Sequence, residues 1–386
     1  MSVLTCEEQR TVDAAQAFVA THVLPLVEVG ALGPAQTRSL HLDAARAGLL
    51  GLEVAVDQGG QGLSFACKWR VAEVLAAADF GLAMALINSH NVAHHLARVA
   101  TPELAQQVVP ALLSGQRTGC IALTEPTAGS DFSAITTLAR RVGDEWQIDG
   151  HKTWIVNAQH AEAMVVYAQT EAGSGARGIA AFYVDGTRAG FVRDSAAAGN
   201  TENKAARSMG SGGFQLLGYR ARAHELLHPP GQAFKAALNS INGARVYVAA
   251  MCCGMVAECL RVAADYGATR HTFGKPLHDH QGWRWVLADA AIDLAAARLL
   301  VDAAATHIGA GVDAQTSAAQ AKVFTTRMAG RHIAALLHAM GAEGLREQHP
   351  FLRHLAAAQV ATLTDGSTEM LLERVAKDLR HPPLRV

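Results

Sequence analysis

Cysteine is scarce: six residues, Cys6, Cys67, Cys120, Cys252, Cys253 and Cys259, form neither a C-x-x-C pair nor a regular framework. A disulfide scaffold and a thiolate zinc site are therefore not expected, and scattered reduced thiols point to a cytoplasmic location. Charge is also thin. Charged residues make up 17% of the chain, and 33 basic against 34 acidic side chains leave a net charge of −1. No long-range field draws in nucleic acid or an anionic membrane, so neither partner is expected. Nowhere do about 18 uncharged apolar residues run together. The opening Met-Ser-Val-Leu-Thr-Cys-Glu-Glu has no basic segment followed by an apolar one, so neither a membrane span nor a secretory leader is expected.

Half of the 386 residues are hydrophobic, a length that allows two or three domains and a composition that favours helix. Val12, Ala15, Phe18, Val19 and Val23 recur at helical spacing behind Thr5 and Glu8, a capping box, which predicts a first helix from Thr5 to about Leu26. A second helix is expected to end near Leu50. The glycine-rich Val56–Leu63 follows; no strand precedes it and no lysine follows, so a structural loop fits better than a phosphate cradle. Three helices are predicted between Ala66 and Ser114, with breaks at Pro102 and Pro110. His90 and His94 lie one turn apart there, beside His95, but without a nearby third ligand they read as ordinary helix residues, so no metal is expected.

Short β-like runs then appear: Trp146-Gln-Ile, Ala163–Gln169, Ile179–Val184 and Phe214–Leu217. Ala196–Gly213, rich in Ala, Gly and Ser, reads as a surface connection. Helical periodicity returns in four windows, Gln232–Arg270, Gln281–Ile308, Asp313–Met340 and Gly366–Leu379. The fold class expected is α+β, with an N-terminal helical domain (1–117), a central β domain (118–227) and a C-terminal four-helix bundle (228–386). Vicinal Cys252 and Cys253 fall where small packing residues belong rather than a redox pair.

Two stretches carry the most information: Ala122-Leu-Thr-Glu-Pro-Thr-Ala-Gly-Ser-Asp131, and Gly150-His-Lys-Thr-Trp-Ile-Val-Asn157. On their residues alone both read as loops beside short strands, rich in small side chains and donors. In wording, order and separation they resemble the acyl-CoA dehydrogenases, flavoproteins that remove the α and β hydrogens of an acyl thioester. The resemblance extends from about Leu4 to Ala376. It implies the three-domain order above, bound FAD, a homotetramer (or dimer), and delivery of electrons to an electron-transfer flavoprotein. It also suggests that the His90 region walls the acyl pocket.

The resemblance assigns sites residue by residue. Ile121, Leu123, Thr124, Gly129 and Ser130, with Trp154, Ile155 and Val156, would flank the isoalloxazine ring, and Ser367 and Glu369 would border it after the base. Arg270-His-Thr-Phe-Gly274 and His280-Gln281 look like the family's Arg-x-x-Phe-Gly and Gln pair. Through Arg270, Thr272, Phe273, His280 and Gln281 they would reach the FAD diphosphate and adenosine on a neighbouring subunit. His338, Gly341 and Ala342 match the family's Gln-x-x-Gly-Gly only in part. The catalytic base would be Asp365, in Leu363-Thr-Asp-Gly-Ser-Thr-Glu369, where relatives carry glutamate; bare, Asp-Gly-Ser reads as a cap or turn. The family's other base position is Ala244, before Arg245. Ser130, Asn242, Arg245, Thr364 and Gly366 would contact the substrate, an acyl-CoA or acyl-carrier thioester. Val156 replaces a hydroxyl residue that bonds the flavin, and Ala356, Ala357 and Leu372 replace further family residues. Three readings stay open: dehydrogenation of an unusual acyl thioester, a nitroalkane oxidase-like reaction, in which relatives also use aspartate, and a non-catalytic thioester-binding flavoprotein.

Overall fold

The computed structural model describes residues 2–30, 32–194 and 204–379. The chain divides into two compact units, each assembled from separated segments: Met1–Ala31, Ser64–Ala83 and Ile241–Val386 in the first, and Leu32–Leu63 and Met84–Ser240 in the second.

The first unit is helical. Helix α1 (Cys6–Phe18) starts at Thr5, whose side chain caps Glu8 while Glu8 bonds back. A π-helical turn (Val19–Val23) and α2 (Leu24–Glu28) continue the expected first helix. In the other unit, α3 (Pro34–Arg46) corresponds to the expected second helix and stops four residues before Leu50. Helix α4 (Phe65–Ala78) packs on α1 and ends at Asp79, whose extended backbone interrupts the helix and whose carboxylate caps Leu82 at the start of α5 (Phe80–Val99). Helix α6 (Pro102–Leu113) begins with Pro102 in its first turn. Pro110 does not break it, contrary to expectation; it sits in the last turn, where little of the ladder is forfeited.

The second unit is organised by an eight-stranded sheet: β1 (Gly119–Ala122), β2 (Leu138–Val142), β3 (Glu145–Ile155), β4 (Ala163–Gln169), β5 (Ile179–Asp185), β6 (Phe191–Arg193), β7 (Gly212–Arg222) and β8 (Leu226–His228). Its order is β6-β7-β3-β2-β4-β5-β8, with β1 parallel to β4 in the register Cys120 to Met164. Strands β4 and β5 are buried along their whole length, which is why they read as unbroken apolar runs rather than alternating ones. Residues 196–203 of the expected surface connection lie outside the described residues. The described remainder is not superficial: Ala206, Ser208, Met209 and Ser211 are buried, because this stretch leads straight into β7.

Helix α7 (Ala233–Thr269) is long and apolar enough to cross a membrane, but 72% of its apolar window is buried inside the protein, as befits a core helix. The short hairpin β9 (His271–Thr272) and β10 (Lys275–Pro276) leads to α8 (Gln281–Gly309), α9 (Gln315–Met340), α10 (Phe351–Leu363) and α11 (Thr368–Asp378). Helix α10 is absent from the four expected windows, so the described residues of the C-terminal part hold five α-helices rather than four. All six cysteines are free, and five are buried.

Candidate active site

The loop after β1 is built around an ion pair hidden in the second unit. Glu125 and Lys152 are each about 1% exposed in their side chains and meet at 2.8 Å. The Glu125 carboxylate also accepts from Thr136 N (2.6 Å), Thr136 Oγ1 (2.7 Å) and Thr137 N (3.0 Å), and Lys152 Nζ donates to the Leu123 carbonyl (3.0 Å). Burial works to raise the Glu125 carboxyl, but Lys152 and the threonine donors outweigh it and hold it at about 2. Burial draws the Lys152 ammonium down to about 8 against the pull of Glu125. Both are charged at neutral pH. Thr153 N donates to Thr124 O (3.1 Å), which joins the two motif stretches. Neither Glu125 nor Lys152 is among the site residues expected from the sequence, although both lie inside the quoted motifs. Their partnership across 27 residues is invisible before folding.

This scaffold presents Gly129, Ser130 and Trp154 to the exterior, with Leu123, Thr124 and Val156 half-buried. Trp154 is 59% exposed in a left-handed conformation (φ 58°), which a bulky residue adopts only where its surroundings impose it. Asn157 closes the turn, also left-handed; its Nδ2 donates to the carbonyls of Ala85 (2.8 Å) and Gly119 (3.0 Å). Ile155 departs from expectation: its side chain lies in the sheet core with Phe214, leaving only its backbone for a ligand. Ile121 and Leu123 pack partly into the opposite core.

In the first unit, Asp365 sits between α10 and α11 with φ 53°, followed by Gly366 at φ 101°. Two side chains brace this turn. Lys322, buried on α9, donates its ammonium to the carbonyls of Thr364 and Gly366. Arg245 Nε donates to the Asp365 carbonyl (3.1 Å), and Arg245 Nη1 donates to Asn242 Oδ1 (2.9 Å). Burial pushes the Asp365 carboxyl above its ordinary value, opposed by the charges of Lys322 and Arg245. Burial likewise pulls Lys322 down to about 8. Ser367 occupies the N-cap position of α11 without a side-chain cap bond, and Glu369 is exposed in its first turn. Asp365, Thr364, Gly366, Asn242 and Arg245 thus form one cluster, to which the structure adds Lys322.

A second cluster of the same unit gathers Arg270, Thr272, Phe273, His280, Gln281, His338, Gly341 and Ala342. Trp283 Nε1 donates to the Ala339 carbonyl (3.1 Å), which ties the start of α8 to the end of α9. Thr272 Oγ1 and His280 Nε2 are 3.1 Å apart. Arg270, Gln281, His338, Gly341 and Ala342 are exposed, and Phe273 is 98% exposed with φ 51°. A guanidinium, an amide and an uncovered aromatic suit a phosphate and a flat ring.

Three family profiles match in order: "Acyl-CoA dehydrogenase, N-terminal domain" over residues 5–116, "middle domain" over 120–209 and "C-terminal domain" over 231–380. The rat mitochondrial short/branched chain specific acyl-CoA dehydrogenase is 30% identical over 98% of this chain and 87% of its own. The glutaryl-CoA dehydrogenase of Desulfococcus multivorans is 28% identical over 86% of this chain and 85% of its own. The solved butyryl-CoA dehydrogenase of Megasphaera elsdenii superposes with a TM-score of 0.92 at 26% identity, covering 98% of this chain and 100% of that one. The chain belongs to the acyl-CoA dehydrogenase family.

Proposed function

We propose that this chain is an FAD-dependent oxidoreductase that dehydrogenates an acyl thioester across its α and β carbons, with Asp365 as base. The observation that carries this reading is the Asp365 turn: a carboxylate on a left-handed backbone, raised in basicity by burial and held by Lys322 and Arg245. The residues fit the cofactor. Ser130 and Thr124 supply hydroxyls and Gly129 an open backbone, since a Cβ there would meet only Thr124 Cγ2 at 3.8 Å. Trp154 offers an uncovered ring. The isoalloxazine, when bound, supplies the hydride acceptor for the β hydrogen. Asp365 takes the α proton on its carboxylate, which must be ionised to do so. Asn242 and Arg245 orient the carrier arm, the backbone of Thr364 and Gly366 borders the acyl group, and Ser367 and Glu369 adjoin the base.

Arg270, Phe273 and Gln281, with the adjacent His338 and Gly341, would serve the diphosphate and adenosine of FAD bound by a second copy. Trp285, Ile292 and Leu299 favour such an assembly: they repeat every seven residues on one face of α8 and are all exposed. Further parts of the proposal are a homotetramer, an electron-transfer flavoprotein as acceptor, a cytoplasmic location in keeping with six free thiols, and domain boundaries at 117/118 and 227/228.

The deciding experiment is flavin reduction by a panel of acyl-CoA and acyl-carrier thioesters in the wild type and in Asp365→Asn. Loss of general-base catalysis costs roughly 10²–10⁴-fold. Equal reduction by the variant would remove Asp365 as base. No reduction of wild-type flavin by any thioester would turn attention to nitroalkanes and to binding without turnover.

A further inference from the structure

His90 and His94 gain a third ligand from the fold. Helix α5 puts them one turn apart on the same face. Glu53, far upstream in sequence, enters from the segment after α3, and the three potential donor atoms lie within 4.8 Å of one another. His90 Nε2 is 3.3 Å from Glu53 Oε2, and His94 Nδ1 is 3.7 Å from the same oxygen. A tetrahedral ion with bonds of ~2.0–2.1 Å places its ligand atoms roughly 3.3 Å apart.

The orientation of His90 points the same way. Its Nδ1 lies 3.3 Å from the Leu50 carbonyl. A carbonyl only accepts, so Nδ1 carries the hydrogen. That leaves Nε2 as the ring atom facing the Glu53 carboxylate, at 3.3 Å. Metal-bound histidines characteristically donate their other N–H to such a carbonyl, which sets the tautomer and aims the ring.

The Glu53 segment is held firmly. Leu52 and Val54 are buried, and the glycine-rich loop returns backbone hydrogen bonds from Gln61 to Gly51 (2.9 Å), Gly62 to Val54 (2.8 Å) and Leu63 to Leu52 (2.7 Å). Gly60 permits this fit, because a Cβ there would fall 2.1 Å from the Val54 carbonyl oxygen. The motif that resembles a phosphate loop in sequence instead fixes a ligand-bearing strand of chain.

We propose that Glu53, His90 and His94 form a binding site for a divalent transition-metal ion, of which zinc and cobalt(II) suit two imidazoles and one carboxylate. His90 is fully buried, whereas Glu53 and His94 are 15% and 22% exposed in their side chains, so an ion enters past those two. Three protein ligands leave a fourth position for water or for a ligand's oxygen or sulfur. The site stands independently of the FAD reading.

Its test uses the full-length protein, stripped with a chelator and titrated with cobalt(II) alone, followed by visible d–d absorption, with zinc-dependent thermal unfolding as a second readout. One cobalt per chain with a tetrahedral spectrum is expected, and zinc should raise the melting temperature. His90 is deep in the core, so Glu53→Gln and His94→Ala, at half-buried positions, carry the comparison. Each should weaken cobalt binding by more than the roughly 10–100-fold that losing an outer-shell partner costs, and should abolish the zinc-dependent rise. Absence of a saturable spectrum, or binding unchanged in both variants, overturns the proposal.

Discussion

As the proposed base, Asp365 is one methylene shorter than the glutamate that the family resemblance implies there, and its left-handed turn sets where that shorter carboxylate begins. Asp365→Glu should therefore keep the chemistry but misplace the base by ~1 Å, slowing flavin reduction on the order of 10²-fold in rapid-mixing kinetics. Since burial raises the Asp365 carboxyl, reduction by a saturating thioester should climb with pH and level off only above the usual carboxylate range. Lys322 opposes that rise. Lys322→Met should move the midpoint of the pH profile upward, because the charge that favoured the ionised carboxylate is gone. It also strands two carbonyls, at a cost of about 1–3 kcal/mol in chemical denaturation. A midpoint unchanged in Lys322→Met would reduce Lys322 to a structural brace.

Helices α4 and α7 cross so closely that a Cβ on Gly254 would lie 2.1 Å from the Glu73 carbonyl oxygen. Gly254→Ala should force them apart, cost ~1–3 kcal/mol and lower the melting temperature. The Glu125–Lys152 pair sets a different sign. Glu125 has a folded-state value of about 2, below its ordinary 4.5, so its contribution is complete above about pH 4.5 and fades as pH falls toward 2. Glu125→Gln leaves a buried ammonium unpaired, should destabilise by roughly 3–5 kcal/mol, and should flatten that part of the acid-unfolding curve. Helices with strong apolar contrast, such as α1, and the fully apolar β4 and β5 were legible in sequence. Helix α10 was not: its buried face is Phe351, His354, Ala357, Ala358 and Ala361, mostly too small to stand out from its alanine-rich surroundings. Lys322 escaped notice for another reason. It meets its partners 42 and 44 residues away, a closeness that only the packed fold creates.

The candidate site was legible where a motif is local, in the stretches around Ser130, Trp154 and Asp365, and illegible where partners come from afar, as Glu53 does to His90. Family membership follows from matches spread over nearly the whole chain, and the exposed Trp285, Ile292 and Leu299 carry the proposed assembly. Trp285→Glu with Ile292→Glu should convert the oligomer to monomers by light scattering, with loss of FAD, if a second copy completes the cofactor site. Persistence of the oligomer would move the interface off α8. The most direct trial of the proposed function is an anaerobic titration of the purified flavoprotein with acyl-CoA thioesters, recorded in parallel for the wild type and Asp365→Asn. Bleaching of the wild-type flavin by one acyl class, with the variant binding the same thioester but failing to bleach, is the predicted result. Bleaching of the variant at the wild-type rate would contradict the role given to Asp365.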